Sequence, residues 1–260
     1  MLQTMEQAAE PVVLRPAALT IAVIIPVLNE AKVIGRTLAH TASLGFDDLV
    51  VVDGGSSDQT RSIVESFATP LQTAPFGAPP VPPASIRLLS ASPGRARQLN
   101  AGAATGRCDV LLFLHADTHL PPDARHAVTE ALSDRACIGG RFNVRFDSDR
   151  LSARIIETMM NLRSRLSGIA TGDQVLFVRR EVFERIGGFA DIPLMEDIEL
   201  TRRLKRTGHL APLTECVVTS FRRWEQNGPL RTILLMWTLR FLYWIGVSPH
   251  RLQHFYAMVR

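Results

Sequence analysis

DLVVVDGG, residues 48–55, places a run of apolar side chains directly before an aspartate and two glycines. The run does not alternate with polar residues, which predicts a strand that is buried on both of its faces. TIAVIIPV (20–27) has the same character, and residues 31–44 and 56–68, which follow the two strands, have helical spacing. A strand–helix–strand–helix order with continuously hydrophobic strands predicts an α/β fold in which helices flank a mostly parallel sheet.

The remainder of the chain continues these patterns. The further predicted strands cover 86–90, 109–114, 140–146 and 174–179, and the further predicted helices cover 94–105, 151–166 and 197–207. Residues 69–85 contain six prolines and no charged residue, so we expect an extended loop there. We expect three parts in the chain: a flexible tail at 1–18, one large domain at 19–228 and a helical segment at 229–260.

The overall composition limits the kinds of protein and partner. The chain has 260 residues, of which 46% are hydrophobic and 21% charged, and its net charge is +4. This length is sufficient for one large domain with a buried core. The arginines are spread along the chain, which favours an anionic small ligand or membrane surface and argues against nucleic acid as a partner.

The cysteines and the N-terminal residues bear on the cellular compartment. Three cysteines lie far apart, without the spacing of a metal site or of a disulfide framework: Cys108, Cys137 and Cys216. The first residues include Glu6 and Glu10 and no basic leader, so they do not resemble a signal peptide. We therefore expect a cytoplasmic protein.

The stretch 230–249 has two interpretations. Its apolar run is interrupted at Arg240, well short of the roughly 20 apolar residues that span a bilayer. Arg231 lies nine positions earlier, which at about 100° per residue places the two arginines on opposite faces of a helix. Trp237 and Trp244 suit a membrane interface. A helix that packs on the domain, or on a second copy of the chain, fits the same residues.

Acidic residues follow a predicted strand or open a predicted helix at three places. Asp53 and Asp117 each stand at or just beyond the end of a strand, and Glu196 and Asp197 begin a helix. Ligands of open α/β sheets bind at the carboxyl ends of the strands. Asp117 can offer an oxygen ligand to Mg²⁺ or Mn²⁺, and His115 could be a second ligand or could orient a substrate. Taken singly, each place is also explained by turn and helix-capping residues.

Six motifs, taken in order, resemble a known family. They are VIIPVLNE, VVDGGSSDQT, GRARQLNAGAATG, LLFLHADT, TGDQVLFVRREVFERIGGF and MEDIEL. This order is similar to the glycosyltransferase family 2 type of GT-A enzyme over residues 20–225. The tripeptide His-Ala-Asp at 115–117, in place of the usual Asp-x-Asp, resembles a small subgroup that is often encoded beside radical-SAM and selenium-related genes.

The resemblance implies a nucleotide-diphospho-sugar donor, usually of uridine, and inversion at the anomeric carbon. The residues that it implies in donor binding are Pro26, Glu30, Asp53, Arg95, Gln98, Asn100 and Arg223. Asp117 would bind a divalent ion, Mn²⁺ or Mg²⁺, with His115 as the second candidate ligand. Asp197 would be the general base that takes the acceptor proton, with Glu196 beside it. The residues implied on the acceptor side are Gly172, Asp173 and Gln174.

Two departures from the family pattern bear on the mechanism. His115 stands where the first acid of the metal-binding motif is usual, and imidazole suits Mn²⁺ better than Mg²⁺. Processive members of the family carry Gln-x-x-Arg-Trp, whereas this chain has Ser220 in the glutamine position and retains Arg223 and Trp224. The missing glutamine argues against a polymer-extruding synthase and favours a single transfer.

The sequence thus leads to one hypothesis and two alternatives. The hypothesis is a metal-dependent, inverting transfer of one sugar from a UDP-type donor to a small or lipid-linked acceptor. The protein would act in the cytoplasm or on the inner face of the membrane, with 229–260 as a membrane or homo-oligomer contact. The alternatives are a sugar-nucleotide nucleotidyltransferase and a non-catalytic, transferase-like module that docks a membrane or a partner.

Overall fold

The computed structural model describes residues 19–68 and 85–259. The predicted tail 1–18 and nearly all of the predicted loop 69–85 lie outside the described residues. The strands are β1 (Ile21–Val27), β2 (Asp48–Asp53), β3 (Ser85–Ser90), β4 (Val110–Phe113), β5 (Thr118–His119), β6 (Cys137–Phe146), β7 (Leu176–Arg179) and β8 (His209–Thr219). Within the described residues they form one eight-stranded sheet in the order β3-β2-β1-β4-β7-β6-β8-β5.

Most of the sheet is parallel. β1 pairs in parallel with β2 and β4, and β2 pairs in parallel with β3. β7 runs antiparallel between β4 and β6, β8 is parallel to β6, and β5 closes the edge antiparallel to β8. The predicted α/β class with a mostly parallel sheet is therefore confirmed.

Helices cover both faces of the sheet. They are α1 (Ile34–Ala42), α2 (Thr60–Ala68), α3 (Arg95–Ala103), α4 (Ala124–Ala131), α5 (Leu151–Ser167), α6 (Arg180–Arg185), α7 (Glu196–Leu204), α8 (Arg222–Asn227), α9 (Pro229–Trp244) and α10 (Pro249–Val259). Ile21, Val23 and Ile25 of β1 belong to the apolar core on one face, whereas Ala22 and Ile24 belong to the core on the other. This double burial explains why the strand sequence is continuously hydrophobic.

Helix α2 begins later than the sequence analysis predicted. Its first residue is Thr60 rather than residue 56. Asp58 Oδ1 accepts the backbone N–H of Thr60 at 2.9 Å, and the N–H of Ser57 donates to Asn29 Oδ1 at 2.8 Å. The side chains of two neighbouring loops thus hold residues 56–59 outside the helix.

Strand β8 has no clear signal in the sequence and was not predicted. Its sequence, HLAPLTECVVT, contains a proline and several polar residues, and most of its side chains are at least partly exposed. β8 is stabilised by the long parallel pairing with β6, from Cys137–His209 to Phe146–Thr219. Tertiary pairing therefore overrides a weak local preference for a strand.

The C-terminal helices pack beside α7. Leu239 of α9 and Leu252 of α10 are buried together with Met195 and Ile198, which flank the predicted catalytic pair in the chain. Helix α9 begins at Pro229, where we predicted the boundary between the parts 19–228 and 229–260. That division stays a prediction, because the last two helices share an apolar cluster with α7.

Two helices expose apolar stripes. On α9 the side chains that are 57–77% exposed are Leu230, Leu234, Trp237, Phe241 and Trp244. On α5 the exposed large apolar side chains are Leu151, Ile155, Met159, Leu162 and Leu166. At 100° per residue each set falls within about 80° of one helix face. No helix within 19–68 or 85–259 has the length and apolarity needed to cross a bilayer.

Candidate active site

The carboxyl ends of β1 and β2 form the edge where the donor-side residues were predicted. Pro26 lies in β1 opposite Val52 of β2, and Asp53 is the next residue of β2. The side-chain amide of Gln98, which is buried, donates to the carbonyl oxygens of Val27 at 2.9 Å and Val52 at 2.8 Å. Gln98 therefore holds the ends of the two strands together.

Asp53 is buried and surrounded by hydrogen-bond donors. Its carboxylate accepts the N–H groups of Gly55 at 3.2 Å and Ser56 at 3.1 Å, and Arg61 Nη1 lies 3.1 Å away. Burial alone would raise the pKa of Asp53, but the bonds from Ser56, Arg61 and Gly55 outweigh it and lower the pKa. The ionised form of Asp53 is therefore favoured at this end of the sheet, where it is paired with Arg61.

A cleft of about 310 Å³, counting the space open to solvent, lies between α3, the turn before β7 and the start of α7. Its lining residues are Arg95, Leu99, Phe113, His115, Gly172, Leu176, Phe189, Glu196 and Asp197. Five residues with predicted roles meet here, although they come from distant parts of the sequence. The cleft has an apolar floor and charged side chains at its rim, as small-ligand sites commonly have.

Two backbone groups orient the carboxylate of Asp197. Oδ2 accepts the N–H of Gly172 at 2.8 Å, and Oδ1 accepts the N–H of Ile198 at 2.7 Å. Met195, which precedes the helix, has the left-handed φ of 69°. Such a conformation is uncommon for a residue with a side chain. It starts α7 at the rim of the cleft, so that Asp197 reaches the turn of Gly172.

Glu196 lies beside Asp197 and is only 5% exposed. Its Oε1 is 3.5 Å from Arg95 Nη1. Burial and repulsion from Asp197 raise the pKa of Glu196, and Arg95 opposes the shift only in part. Desolvation opposes the charge of Arg95, but Glu196, Asp197 and Asp173 outweigh it and raise the pKa of Arg95. The site thus places a carboxyl of raised pKa, paired with Arg95, beside the oriented carboxylate of Asp197.

The structure connects His115 to the acceptor-side turn. Its Nδ1 lies 3.3 Å from Asp173 Oδ1, and the ring packs against Gly172. A Cβ atom added to Gly172 would lie 2.5 Å from His115 Nε2. This contact between His115 and the 3-10 turn Gly172–Gln174 has no signal in the sequence.

Asp117 is half-buried and lies outside the lining of the cleft. In the described part of the chain no group donates a hydrogen bond to its carboxylate. No three His, Cys, Asp or Glu side chains among those residues converge into a metal-sized cluster. A single available carboxylate fits the way Mg²⁺ is commonly bound, by one or two carboxylates together with substrate phosphates and water.

Several predicted residues contact protein rather than open space. The amide of Asn100 bonds both ways with the backbone of Phe189, at 2.8 and 2.9 Å. Gln174 is fully buried, and its Oε1 accepts the N–H of Thr171 at 3.4 Å. The backbone N–H of Glu30 donates to Thr60 Oγ1 at 2.8 Å. The side chain of Arg223 lies outside what the structure describes.

Some residues around the cleft were not predicted at all. Phe113 and Phe189 form part of the floor and pack edge to face, with ring centroids 4.9 Å apart. Arg163 of α5 and Arg240 of α9 lie close enough to Asp197 and Asp173 for their charges to interact. An arginine in the middle of a helix is usually a surface residue, so the sequence offers no signal for either role.

Known proteins share this fold and part of this sequence. The profile of the family described as "Glycosyl transferase family 2" matches residues 22–189. The "probable glycosyltransferase YdaM" of Bacillus subtilis (strain 168) is 29% identical over 223 residues, 80% of this chain and 50% of that protein. This chain therefore spans about half the length of that relative.

Two solved structures have the same architecture. A mannosyltransferase from Pyrobaculum calidifontis, in complex with GDP-Man and Mn²⁺, has a TM-score of 0.61 at 20% identity, covering 93% of this chain and 70% of that one. Glucosyl-3-phosphoglycerate synthase from Mycobacterium tuberculosis, in complex with Mg²⁺ and UDP, has a TM-score of 0.52 at 19% identity, covering 77% and 70%. These likenesses confirm the predicted GT-A fold.

Proposed function

The chain belongs to glycosyltransferase family 2, and on that basis we propose that it transfers one sugar from a nucleotide-diphospho-sugar to an acceptor hydroxyl, with inversion. The observation that carries the proposal is the oriented carboxylate of Asp197 at the rim of the cleft, 2.8 Å from the Gly172 N–H. A donor of this class is further supported by the two solved structures, whose names include GDP-Man and UDP. We propose UDP as the nucleotide and the cytoplasmic side as the compartment.

In the proposed reaction Asp197 is the general base. The acceptor hydroxyl loses its proton to the carboxylate while its oxygen attacks the anomeric carbon. The bond from that carbon to the diphosphate breaks on the opposite face, and the nucleoside diphosphate leaves. A base on the acceptor side alone is sufficient, because attack and departure take place on opposite faces of the sugar.

Glu196 and Arg95 have supporting roles in this proposal. Glu196, whose pKa is raised by burial and by the charge of Asp197, pairs with Arg95, and Asp197 acts as the base. Arg95, 3.5 Å from Glu196, is the cation at the cleft that would neutralise charge on the departing diphosphate.

The donor-side residues divide into two groups. Pro26, Glu30 and Asp53 lie at the strand edge and are proposed to bind the nucleoside, and the role of Arg223 stays a prediction. Gln98 and Asn100 are committed to backbone groups of the protein. We therefore propose that these two amides position the donor site and do not contact the nucleotide directly.

A divalent ion, Mn²⁺ or Mg²⁺, is part of the proposal. Asp117 would hold it, since its carboxylate is half-buried and accepts no hydrogen bond within the described residues. The ion would supply charge neutralisation to the leaving diphosphate. His115 stays a candidate ligand, although its contact with Asp173 favours the alternative, in which it orients the acceptor-side turn.

Nucleotide binding provides the direct test. We expect UDP with Mn²⁺ to raise the melting temperature of the protein more than UDP alone, because a ligand of the native state stabilises it. Asp117→Asn should weaken the Mn²⁺-dependent binding of UDP by roughly tenfold or more. Thermal-shift and calorimetric titrations measure both effects. Asp134→Asn, at a surface turn between α4 and β6, serves as the control and should bind UDP normally. Unchanged binding in Asp117→Asn would refute its role as a ligand.

We also propose that the apolar stripe of α9 contacts an anionic lipid surface. Residues 221–260 contain six arginines and one acidic residue, Glu225, so this end of the chain complements anionic headgroups. Arg150 Nε, just before α5, pairs with Glu225 Oε1 of α8 at 3.2 Å, so the start of α5 lies beside this end of the chain. Exposed tryptophans beside arginines suit the interface of a bilayer.

Vesicle binding tests this contact. The double variant Trp237→Glu/Phe241→Glu should lose roughly 90% of its co-sedimentation with phosphatidylserine-containing vesicles, because it places two charges in the apolar stripe. Phe67→Glu, which changes an exposed aromatic residue of α2, should bind like the wild type. The alternative outcome is that the wild type does not bind vesicles and forms a dimer, and that the double variant is a monomer. This result would show that the stripe joins two copies of the chain.

A further inference from the structure

Arg163 has buried hydrogen-bond donors that no group satisfies. Its Nη1 donates to the carbonyl oxygen of Ile169 at 3.2 Å. Its Nε and Nη2 are buried and have no partner among the residues that the structure describes. Arg141 of β6 is 5% exposed, and its Nη2 is also buried without a hydrogen-bond partner among these residues. Native proteins satisfy nearly all such donors, so these groups call for an acceptor that the described residues do not provide.

Arg240 brings a third guanidinium to the same place. It is half-buried on α9, close enough for its charge to act on Arg163. The neighbouring Leu239 packs against Met195 and Ile198, on either side of the proposed catalytic pair. No carboxylate within the described residues lies within 4.0 Å of Arg163 or Arg240. The two side chains thus converge on the acceptor side of Asp197 without forming an ion pair.

The charges of these arginines repel one another. Burial and the charge of Arg240 lower the pKa of Arg163 to about 10, with Asp197 opposing the shift in part. Burial together with the charge of Arg165 lowers the pKa of Arg141 to about 10. A water molecule could accept the orphaned N–H groups, but it would not offset the cost of burying these charges, which Asp197 and Asp173 offset only in part. An anion removes both deficits at once.

We infer that Arg163 and Arg240 bind a phosphate group carried by the acceptor, with Arg141 as a buried positive charge behind them. A phosphate has enough oxygens for several converging N–H groups, and guanidinium forks match it well. The inference rests on the proposed function, since it assigns the charged part of the acceptor whose hydroxyl Asp197 would deprotonate. It also gives the C-terminal helix α9 a part in substrate binding.

The phosphate could belong to a soluble metabolite or to a lipid headgroup. At about 100° per residue, Arg240 lies on the flank of the exposed apolar stripe of α9, roughly 80° from its centre, so a lipid headgroup as well as a soluble phosphate is a candidate source. Glycerol 1-phosphate is the soluble probe, and phosphatidic acid in phosphatidylcholine vesicles is the lipid probe. Glycerol and pure phosphatidylcholine vesicles are the matching probes without a phosphate monoester.

The experiment compares the wild type with Arg163→Gln and Arg240→Gln, saturated with UDP and Mn²⁺ so that the donor site is filled. We expect the wild type to bind either the soluble or the lipid phosphate probe. Each substitution should weaken binding of that probe by roughly ten- to a hundredfold, the usual effect of losing a buried charged hydrogen bond. Arg135→Gln, an exposed arginine in the turn between α4 and β6, is the control and should bind as the wild type does. Arg163→Lys, which retains the charge, should recover part of the affinity.

The outcomes separate this inference from the proposed function. Loss of phosphate binding with normal UDP binding supports the arginine site and shows that the variants are folded. Phosphate binding that is equal in all variants, or absent from the wild type, overturns the inference even when UDP binds. The phosphate titration is repeated without nucleotide. Weaker phosphate binding by Arg163→Gln and Arg240→Gln than by the wild type supports the site, and equal binding overturns it. A failure of UDP itself to bind contradicts the proposed function instead.

Discussion

Asp197→Asn is expected to lower kcat by about a thousandfold, the middle of the range for losing a general base. The amide cannot take the acceptor proton, while its size and one acceptor oxygen are retained. One of the two backbone N–H groups that Asp197 binds, from Gly172 or Ile198, will lose its partner. We therefore expect a small drop in melting temperature, with the affinity for UDP nearly unchanged, because the nucleoside would bind at the strand edge near Asp53.

The control for this variant is Glu199→Gln on the same helix. Glu199 pairs with Arg203 and does not line the cleft, so its loss should leave kcat near the wild-type value. Steady-state turnover with a nucleotide sugar and UDP titration by calorimetry give the two readouts. If Asp197→Asn retained full activity, or lost UDP binding, Asp197 would not be the base.

Gly172→Ala is expected to lower kcat by roughly a hundredfold, as displacement of a catalytic group by about 1 Å can do. The added Cβ would lie 2.5 Å from His115 Nε2 and 2.8 Å from Cε1, so either the ring or the turn must move. The same residue donates the N–H that orients Asp197. Overpacking of this kind typically costs about 1–3 kcal/mol in the free energy of unfolding.

A second substitution identifies the cause. His115→Ala/Gly172→Ala removes the ring that the new methyl group meets, so it should regain most of the lost stability in a double-mutant cycle. Gly35→Ala in α1 is the control, because its Cβ would meet Ile63 at an ordinary 3.4 Å. That change should be neutral or stabilise by up to about 1 kcal/mol. Equal stability of Gly172→Ala and the wild type would mean that the ring does not confine the turn.

The central strands could be predicted because strands buried on both faces consist almost entirely of apolar residues. β1 and β2 are enclosed by core on both faces, so a continuous apolar run is the only pattern that they tolerate. The start of α2 could not be predicted in the same way. It depends on Asn29, which is distant in sequence and binds the N–H of Ser57.

The candidate site was predictable only in part. Asp53, Asp117 and Asp197 follow from acids placed at strand ends and a helix start, together with the order of motifs. The contact between His115 and Asp173 could not be predicted. The two residues are 58 positions apart, and the sequence around each gives no sign that it lies near the other. The turn of Gly172–Gln174 has to fold against the end of β4 before the pair exists.

The sequence by itself determined the α/β class, the family resemblance and the acids placed at the ends of strands. These properties depend on local periodicity and on residue order, which a single chain displays directly. Only the tertiary structure decided which charges lie close together: Arg95 with Glu196, His115 with Asp173, and Arg163 with Arg240. It also left two buried N–H groups of Arg163 without a partner among the described residues. The physical reason is that electrostatic and hydrogen-bond energies depend on distance in space, and these partners come from elements far apart in the chain.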